Sequence, residues 1–172
     1  MSASLVGSEM CIRDRGVNAC ASANEAVEKS DIIVLAVKPQ NYEEVLLGIK
    51  SSVTAEKVFV TIAAGISISY VTETLGVNCP AVRVMPNTPL LLGYGATAMC
   101  RSENISDEDF NEIYKMFSLS GEVCLFPESK MNEVISINGS SPAYFYLFAL
   151  AMKQYAEEAG FDGETALKLI AK

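Results

Sequence analysis

Three short apolar runs rich in β-branched residues, Asp31–Val37, Lys57–Ala63 and Ala81–Met85, recur along this chain with amphipathic stretches between them. Each run is too short for a core helix and lacks polar alternation, which is how a strand covered on both faces reads. The intervening stretches carry helix signals. Ser22-Ala23-Asn24-Glu25 has capping-box spacing and opens a helix reaching about Lys29. Tyr42–Lys50 puts Val45, Leu46 and Ile49 on one face, and another helix runs from about Ser67 to Leu75. Gly95–Cys100 reads as a fourth strand. Ser106-Asp107-Glu108-Asp109 then starts an acidic-capped helix that Gly121 ends, and Glu122–Phe126 is a last strand, stopped by Pro127. Strands and helices in alternation predict an α/β architecture, a doubly wound parallel sheet with right-handed crossovers.

Beyond Pro127 the pattern is helical only, with Lys130–Ile137, Pro142–Glu158 and a third helix from Gly163. A domain boundary near Pro127 is expected. The sequence stops at Lys172 within that third helix, without a C-cap, so the helical unit reads as cut short. Met1–Arg15 has neither a helical nor a strand period and lacks the apolar core of a signal peptide. It resembles a recurring translated artefact of sequence assembly and is set apart as non-native or disordered.

At 172 residues the chain can bury one sizeable core, or one domain and the beginning of a second. A formal charge of −8 argues against nonspecific nucleic-acid binding, which needs Lys and Arg at phosphates. A dinucleotide stays open, because helix N-termini hold anions. The lack of any histidine excludes His-based triads, His metal ligands and a His proton shuttle, and no metal site is expected. The five cysteines, Cys11, Cys20, Cys79, Cys100 and Cys124, form no CxxC pair and read as buried reduced thiols of a cytoplasmic protein. Pro142–Met152 is the most apolar run, but it ends at Lys153, short of the roughly 20 residues a bilayer demands. It reads as a buried helix. Its aromatic stripe of Tyr144, Phe145, Tyr146, Phe148 and Tyr155 is expected in core and helix–helix interface.

A doubly wound sheet takes ligands beyond the carboxyl ends of its strands. Three loops occupy such ends: Val37-Lys38-Pro39-Gln40, Ala63-Ala64-Gly65 and Pro86-Asn87-Thr88-Pro89. Small side chains in the second let a flat ring approach the backbone. Lys38 offers a cation to a phosphate or carboxylate, while Asn87 and Thr88 offer hydrogen bonds from a loop stiffened by two prolines. Each has a plainer reading: a solvated lysine, close helix–strand packing, a turn. Farther on, Gly139-Ser140-Ser141-Pro142 suits a helix start, with Ser141 at the N-cap, Pro142 at N1 and Gly139 permitting an unusual backbone angle. Its amides face a ligand or a neighbouring domain, or else belong to an ordinary capped helix. Glu128 either approaches the same crevice or is a surface or capping residue.

The segments VKPQ (37–40), AAGISI (63–68), RVMPNTP (83–89), GYGATAM (93–99) and GSSPAY (139–144) follow one another in the order of pyrroline-5-carboxylate reductase, over essentially Gly16–Lys172. In series they are specific, and the chain resembles that family. The resemblance implies an incomplete Rossmann-type dinucleotide-binding domain over residues 16–127. It also implies the start of an all-α substrate and dimerisation domain over 128–172, homo-oligomeric in the full-length family. The implied reaction is NADPH- or NADH-dependent reduction of L-1-pyrroline-5-carboxylate to L-proline by hydride transfer to a cyclic imine, the last step of proline biosynthesis. On this pattern Ala36, Val37, Lys38, Pro39, Ile62, Ala63 and Ala64 line the cofactor. Asn87, Thr88, Glu128, Ser140 and Ser141 lie on the substrate side, with no single catalytic group assigned.

The chain departs from the family where Asn138-Gly139-Ser140-Ser141 stands for the usual Ser-Gly-Ser-Gly. It also shows neither a Gly-rich phosphate loop nor a Ser/Thr- and Gly-rich substrate loop. Two other readings stay open. One is an inactive fragment, at most a binding or dimerisation module, with NADPH affinity at least about tenfold (~1.4 kcal/mol) below a complete member. The other is a Rossmann dehydrogenase of the F420 or β-hydroxyacid type, against which the helix GSSPAYFYLF speaks.

Overall fold

Hydroxyl caps start the helices where the sequence placed them, in a computed structural model that describes residues 18–171. The expectation for Met1–Arg15, and Cys11 with it, lies outside the described residues. Ser22 Oγ accepts from the Glu25 amide at 3.2 Å to open α1, Ala23–Glu28, and the Glu25 carboxylate returns to the Ala21 amide at 2.8 Å. There follow β1 (Ile32–Leu35), α2 (Tyr42–Ile49), β2 (Val58–Thr61) and α3 (Ile68–Leu75). Ser67 Oγ caps α3 through the Tyr70 amide at 3.0 Å, and Gly76, at φ +69°, closes it. Next come β3 (Ala81–Pro86), β4 (Gly95–Arg101), α4 (Asp107–Ser118), capped by Ser106, and β5 (Gly121–Leu125).

The strands form one sheet in chain order, β1-β2-β3-β4-β5. β1, β2 and β3 are parallel, with Leu35 opposite Thr61 and Thr61 opposite Arg83. The fourth strand corrects the all-parallel expectation: β4 runs antiparallel to β3, Pro86 facing Thr97, while β5 is parallel to β4. The reason is connection length. Residues 87–94 hold only a 3₁₀ turn, Thr88–Leu92, whereas a parallel crossover needs a dozen residues or more.

Two other expectations are corrected here. β1 is not covered on both faces, because it lies at the edge of the described sheet and Val34 is 42% exposed. Gly121 does not end α4; Leu119 caps that helix, and Gly121 is the first residue of β5. At φ +140° it lies so close to Gly95 that a Cβ would collide with the Gly95 carbonyl.

Helices cover both sheet faces. On one, Phe59 and Ala81 pack against Tyr42, Leu46 and Ile49 of α2 and Val71 and Leu75 of α3. On the other, Val58, Val60, Val82, Val84 and Met99 pack under Phe110 and Ile113 of α4. Side chains of β2 and the body of β3 alternate between these two cores, which is why both runs are mostly apolar with no polar face.

After Pro127 a 3₁₀ turn, Glu128–Lys130, leads into α5 (Met131–Val134), and a π-helical turn, Ile135–Gly139, joins it to α6 (Ser141–Glu158). Met131 and Val134 are buried in the α2–α3 core, so this segment still packs on the sheet. Asp162 accepts from the Thr165 amide at 2.8 Å to start α7, Gly163–Ile170, which pairs with α6. The expected buried helix is corrected: Tyr144, Phe145, Tyr146, Phe148 and Tyr155 are 61–74% exposed. α6 is apolar around its whole circumference, and α7 covers only part of it. The cysteines divide likewise. Cys79 and Cys100 are buried, Cys20 is half-buried and Cys124, on β5, is exposed.

Candidate functional site

In-register pairing brings the carboxyl ends of β1, β2 and β3 to one edge of the sheet, and the loops that follow leave from there together. Tyr42 fixes the first two ends. Its buried hydroxyl donates to the Leu35 carbonyl at 2.7 Å and pairs with Thr61 Oγ1 at 2.9 Å, and burial pushes its pKa up. Ala36, Lys38 and Pro39 are exposed just beyond β1; Ala64 is exposed and Ala63 buried just beyond β2, with Val37 and Ile62 half-buried. Gly65, at φ +79° with open space around it, turns the chain from β2 towards α3. The edge therefore presents small side chains and one cation, since Lys38 makes no ion pair among the described residues. A flat ring can lie close to this backbone, and an anion can be held at Lys38. The residues present suit a nicotinamide dinucleotide.

Asn87 and Thr88 follow at the end of β3. Asn87 Oδ1 accepts from the Ala96 amide at 2.9 Å, which ties the loop to β4 and leaves its NH2 group to donate elsewhere. Thr88 is exposed at the start of the 3₁₀ turn. The 135–141 segment reaches the same strand end from the helical side. Asn138 Nδ2 donates to the Met85 carbonyl at 2.9 Å and to the Ala96 carbonyl at 3.0 Å.

The expected helix start is corrected in detail. Ser141 is the first residue of α6 rather than its cap, and its hydroxyl donates to the Asn138 carbonyl at 3.3 Å. Ser140 occupies the cap position with helical backbone, and its amide donates to the Ile135 carbonyl at 2.9 Å across the π turn. The Ser140 amide is thus committed to the π turn and the Ala143 amide to the Ser140 carbonyl, at 3.1 Å, rather than facing outward. Gly139 has no positive φ; a Cβ there would meet only the tip of the Met85 side chain, which would have to shift.

Glu128 sits at the start of α3. Its Oε1 accepts from the Ile68 amide at 2.7 Å and lies 3.8 Å from Arg83 Nη1. Arg83 is 4% exposed within the α2–α3 core layer, and its Nη2 donates to Asn132 Oδ1 at 2.7 Å. Burial, then the nearby Glu128 carboxylate, push the Cys100 thiol up to about 11. Sequence reading missed Tyr42, Arg83, Asn132 and Asn138. Arg83 had a signal: a lone charge in an apolar strand covered on both faces must find a buried partner.

An open groove of about 430 Å³ beside Met99, Arg101, Phe110 and Phe126 touches the site only through Glu128. A second, of about 470 Å³, is apolar and lies between α6 and α7, lined by Phe148, Tyr155, Phe161 and Leu169 among others.

The family model for NADP oxidoreductase, coenzyme F420-dependent, matches residues 7–65. That for pyrroline-5-carboxylate reductase dimerisation matches residues 128–172. Pyrroline-5-carboxylate reductase of Mycobacterium leprae (strain TN) is 35% identical over 156 residues, 88% of this chain and 53% of that protein. The Escherichia coli (strain K12) protein of the same name is 35% identical over 157 residues, 91% and 58% of the two chains. The crystal structure of Plasmodium falciparum pyrroline carboxylate reductase with NADP bound superimposes with a TM-score of 0.88 at 29% identity, covering 98% of this chain and 62% of that one. The chain thus spans just over half the length of these curated relatives. The dimerisation-family match over the helical segment, the named relatives over most of the chain and the superimposable solved structure agree, and the chain belongs to the pyrroline-5-carboxylate reductase family.

Proposed function

We propose that this chain takes part in the NAD(P)H-dependent reduction of L-1-pyrroline-5-carboxylate to L-proline. The observation that carries the reading is the shared edge. Ala36–Pro39, Ile62–Ala64 and Asn87–Thr88 leave adjacent strand ends, and Asn138 holds the Ser140–Ser141 turn to the last of them. The P. falciparum relative of known structure has NADP bound, which supports a cofactor along the first two loops.

When bound, the nicotinamide supplies a hydride to the C5 carbon of the cyclic imine. The protein's part is placement. Lys38 holds an anionic group of the cofactor, and Ala36, Ala63 and Ala64 keep the backbone accessible to the ring. A protonated imine is the better electrophile, so a hydroxyl near the ring nitrogen assists. Thr88 and Ser140 hydroxyls have no hydrogen-bond partner among the described residues, whereas Ser141 and Glu128 are engaged within the protein. Thr88 and Ser140 are therefore the groups assigned to the substrate, with the Asn87 amide beside them. Glu128 keeps its place at the start of α3.

The reading divides the chain into a dinucleotide-binding part over 16–127 and a helical part over 128–172. Homo-oligomerisation through the exposed face of α6 accords with the dimerisation match over the same residues. No helix among the described residues is long and apolar enough to cross a membrane, and a cytoplasmic setting is the one proposed.

The test is direct: follow NADPH absorbance on adding L-1-pyrroline-5-carboxylate, alongside a fluorescence titration of NADPH. Imine-dependent oxidation that falls in Lys38→Ala through KM for NADPH, and in Thr88→Val through the imine, is expected. NADPH binding unaffected by Lys38→Ala, or no turnover of the imine, would refute it.

A further inference from the structure

Asn87 and Asn138 lie far apart in the chain, yet both side chains close on one residue, Ala96. Asn87 Oδ1 takes the Ala96 amide, at 2.9 Å, and Asn138 Nδ2 takes the Ala96 carbonyl, at 3.0 Å. The two partners fix which way each side-chain amide points. Asn138 makes a second donation, to Met85 O at 2.9 Å, and its own carbonyl accepts from Ser141 Oγ at 3.3 Å. It is thus joined to the end of β3, the start of β4 and the first residue of α6 at once. The neighbouring Gly139 adds to the seam, since it packs against the tip of the Met85 side chain. The backbone between Ile135 and Gly139 is π-helical, a geometry that persists only where surroundings hold it.

We infer that Asn138 is a positioning residue: its double donation sets Ser140 and Ser141 against the Asn87–Thr88 loop and so fixes the width of the substrate side. This rests on the reading given under Proposed function. A donor with both hydrogens committed to carbonyls cannot be replaced by a carboxylate, which only accepts, nor fully by a hydroxyl, which has one hydrogen. The order of damage follows from that count: Asn138→Ser least, Asn138→Ala and Asn138→Asp most.

Two measurements on the full chain test it. In steady-state kinetics, Asn138→Ala and Asn138→Asp raise KM for the imine by about tenfold or more while KM for NADPH shifts by less than about twofold, with Asn138→Ser between them and the parent. In hydrogen exchange, the amides of residues 140–143 exchange at least about tenfold faster in the same variants, with β1–β2 protection unchanged. Equal changes in both KM values, or unaltered exchange at 140–143, would overturn the inference. A parent chain that does not turn over the imine fails the proposed reaction instead, and the clamp is then judged by exchange alone.

Discussion

α3 carries its apolar residues in a stripe and α6 carries them around its axis, and only the stripe on α3 is covered. Ile68, Val71 and Leu75 recur at helical spacing and are 8%, 0% and 0% exposed. On α6, Phe145, Phe148 and Tyr155 are 72%, 69% and 74% exposed, because its apolar residues run around the axis and α7 reaches one side. The lesson concerns periodicity. A stripe three or four residues apart states which face the chain itself covers, whereas a helix apolar on all sides states only that more cover is wanted than one neighbour gives.

That contrast breaks or holds on four measurements. The largest effect is expected from Phe59→Ala, since Phe59 is 0% exposed between the sheet and α2–α3. Urea unfolding should show a loss of about 3–5 kcal/mol there, against no more than about 0.5 for Phe145→Ala in the dilute single chain. Equal losses would mean that α6 is as well packed as the sheet.

Next comes Gly121→Ala, which sharpens the comparison within the sheet. The φ of +140° and the Gly95 carbonyl behind it put the cost at about 2–3 kcal/mol, read from the shift of the thermal midpoint. Gly93→Ala, at φ +78° with open space, should cost about 1–2 kcal/mol.

Tyr42→Phe should cost about 1–3 kcal/mol, because Leu35 O and Thr61 Oγ1 lose a buried partner. Its effect on NADPH affinity, measured by titration, reports how far the ends of β1 and β2 relax.

The smallest effect is a pH dependence. With the Cys100 thiol raised from 9.0 to about 11 in the folded chain, the unfolded chain loses that proton first as pH rises. The stability this thiol contributes is whole below pH 9.0 and is lost on passing to about 11, so denaturation midpoints should fall across that window. Cys100→Ala should flatten the fall. At pH 8, a thiol reagent should modify exposed Cys124 well before buried Cys79 or Cys100.

Much of the sheet was legible in the residues. β2 and the body of β3 carry apolar side chains to two cores, so their runs could be read as strands without knowing the neighbours. Ser22, Ser67 and Ser106 cap as their spacing says, because capping involves atoms within three residues. Reading failed where the cause was distant. The direction of β4 depended on how little chain joins it to β3, and Gly121 is glycine for its contact with the Gly95 backbone rather than for a helix end. The shared edge could be anticipated as three strand ends, and a capping role for Glu128 as one alternative, but the partners of Asn87, Ser141 and Glu128 could not. Each involves a residue from another element, or a backbone made π-helical by its surroundings.

The sequence by itself determined the strands, the helix starts and the three loops at their tips, since hydrophobic period and side-chain caps act over a turn or a strand. Tertiary structure alone decided strand direction, the pairing of buried Arg83 with the more exposed Asn132 and Glu128, and the grip of Asn138 on Ala96 and Met85. Those are contacts between residues far apart in the chain. Which buried donor meets which acceptor is fixed only when packing leaves each with no water to turn to.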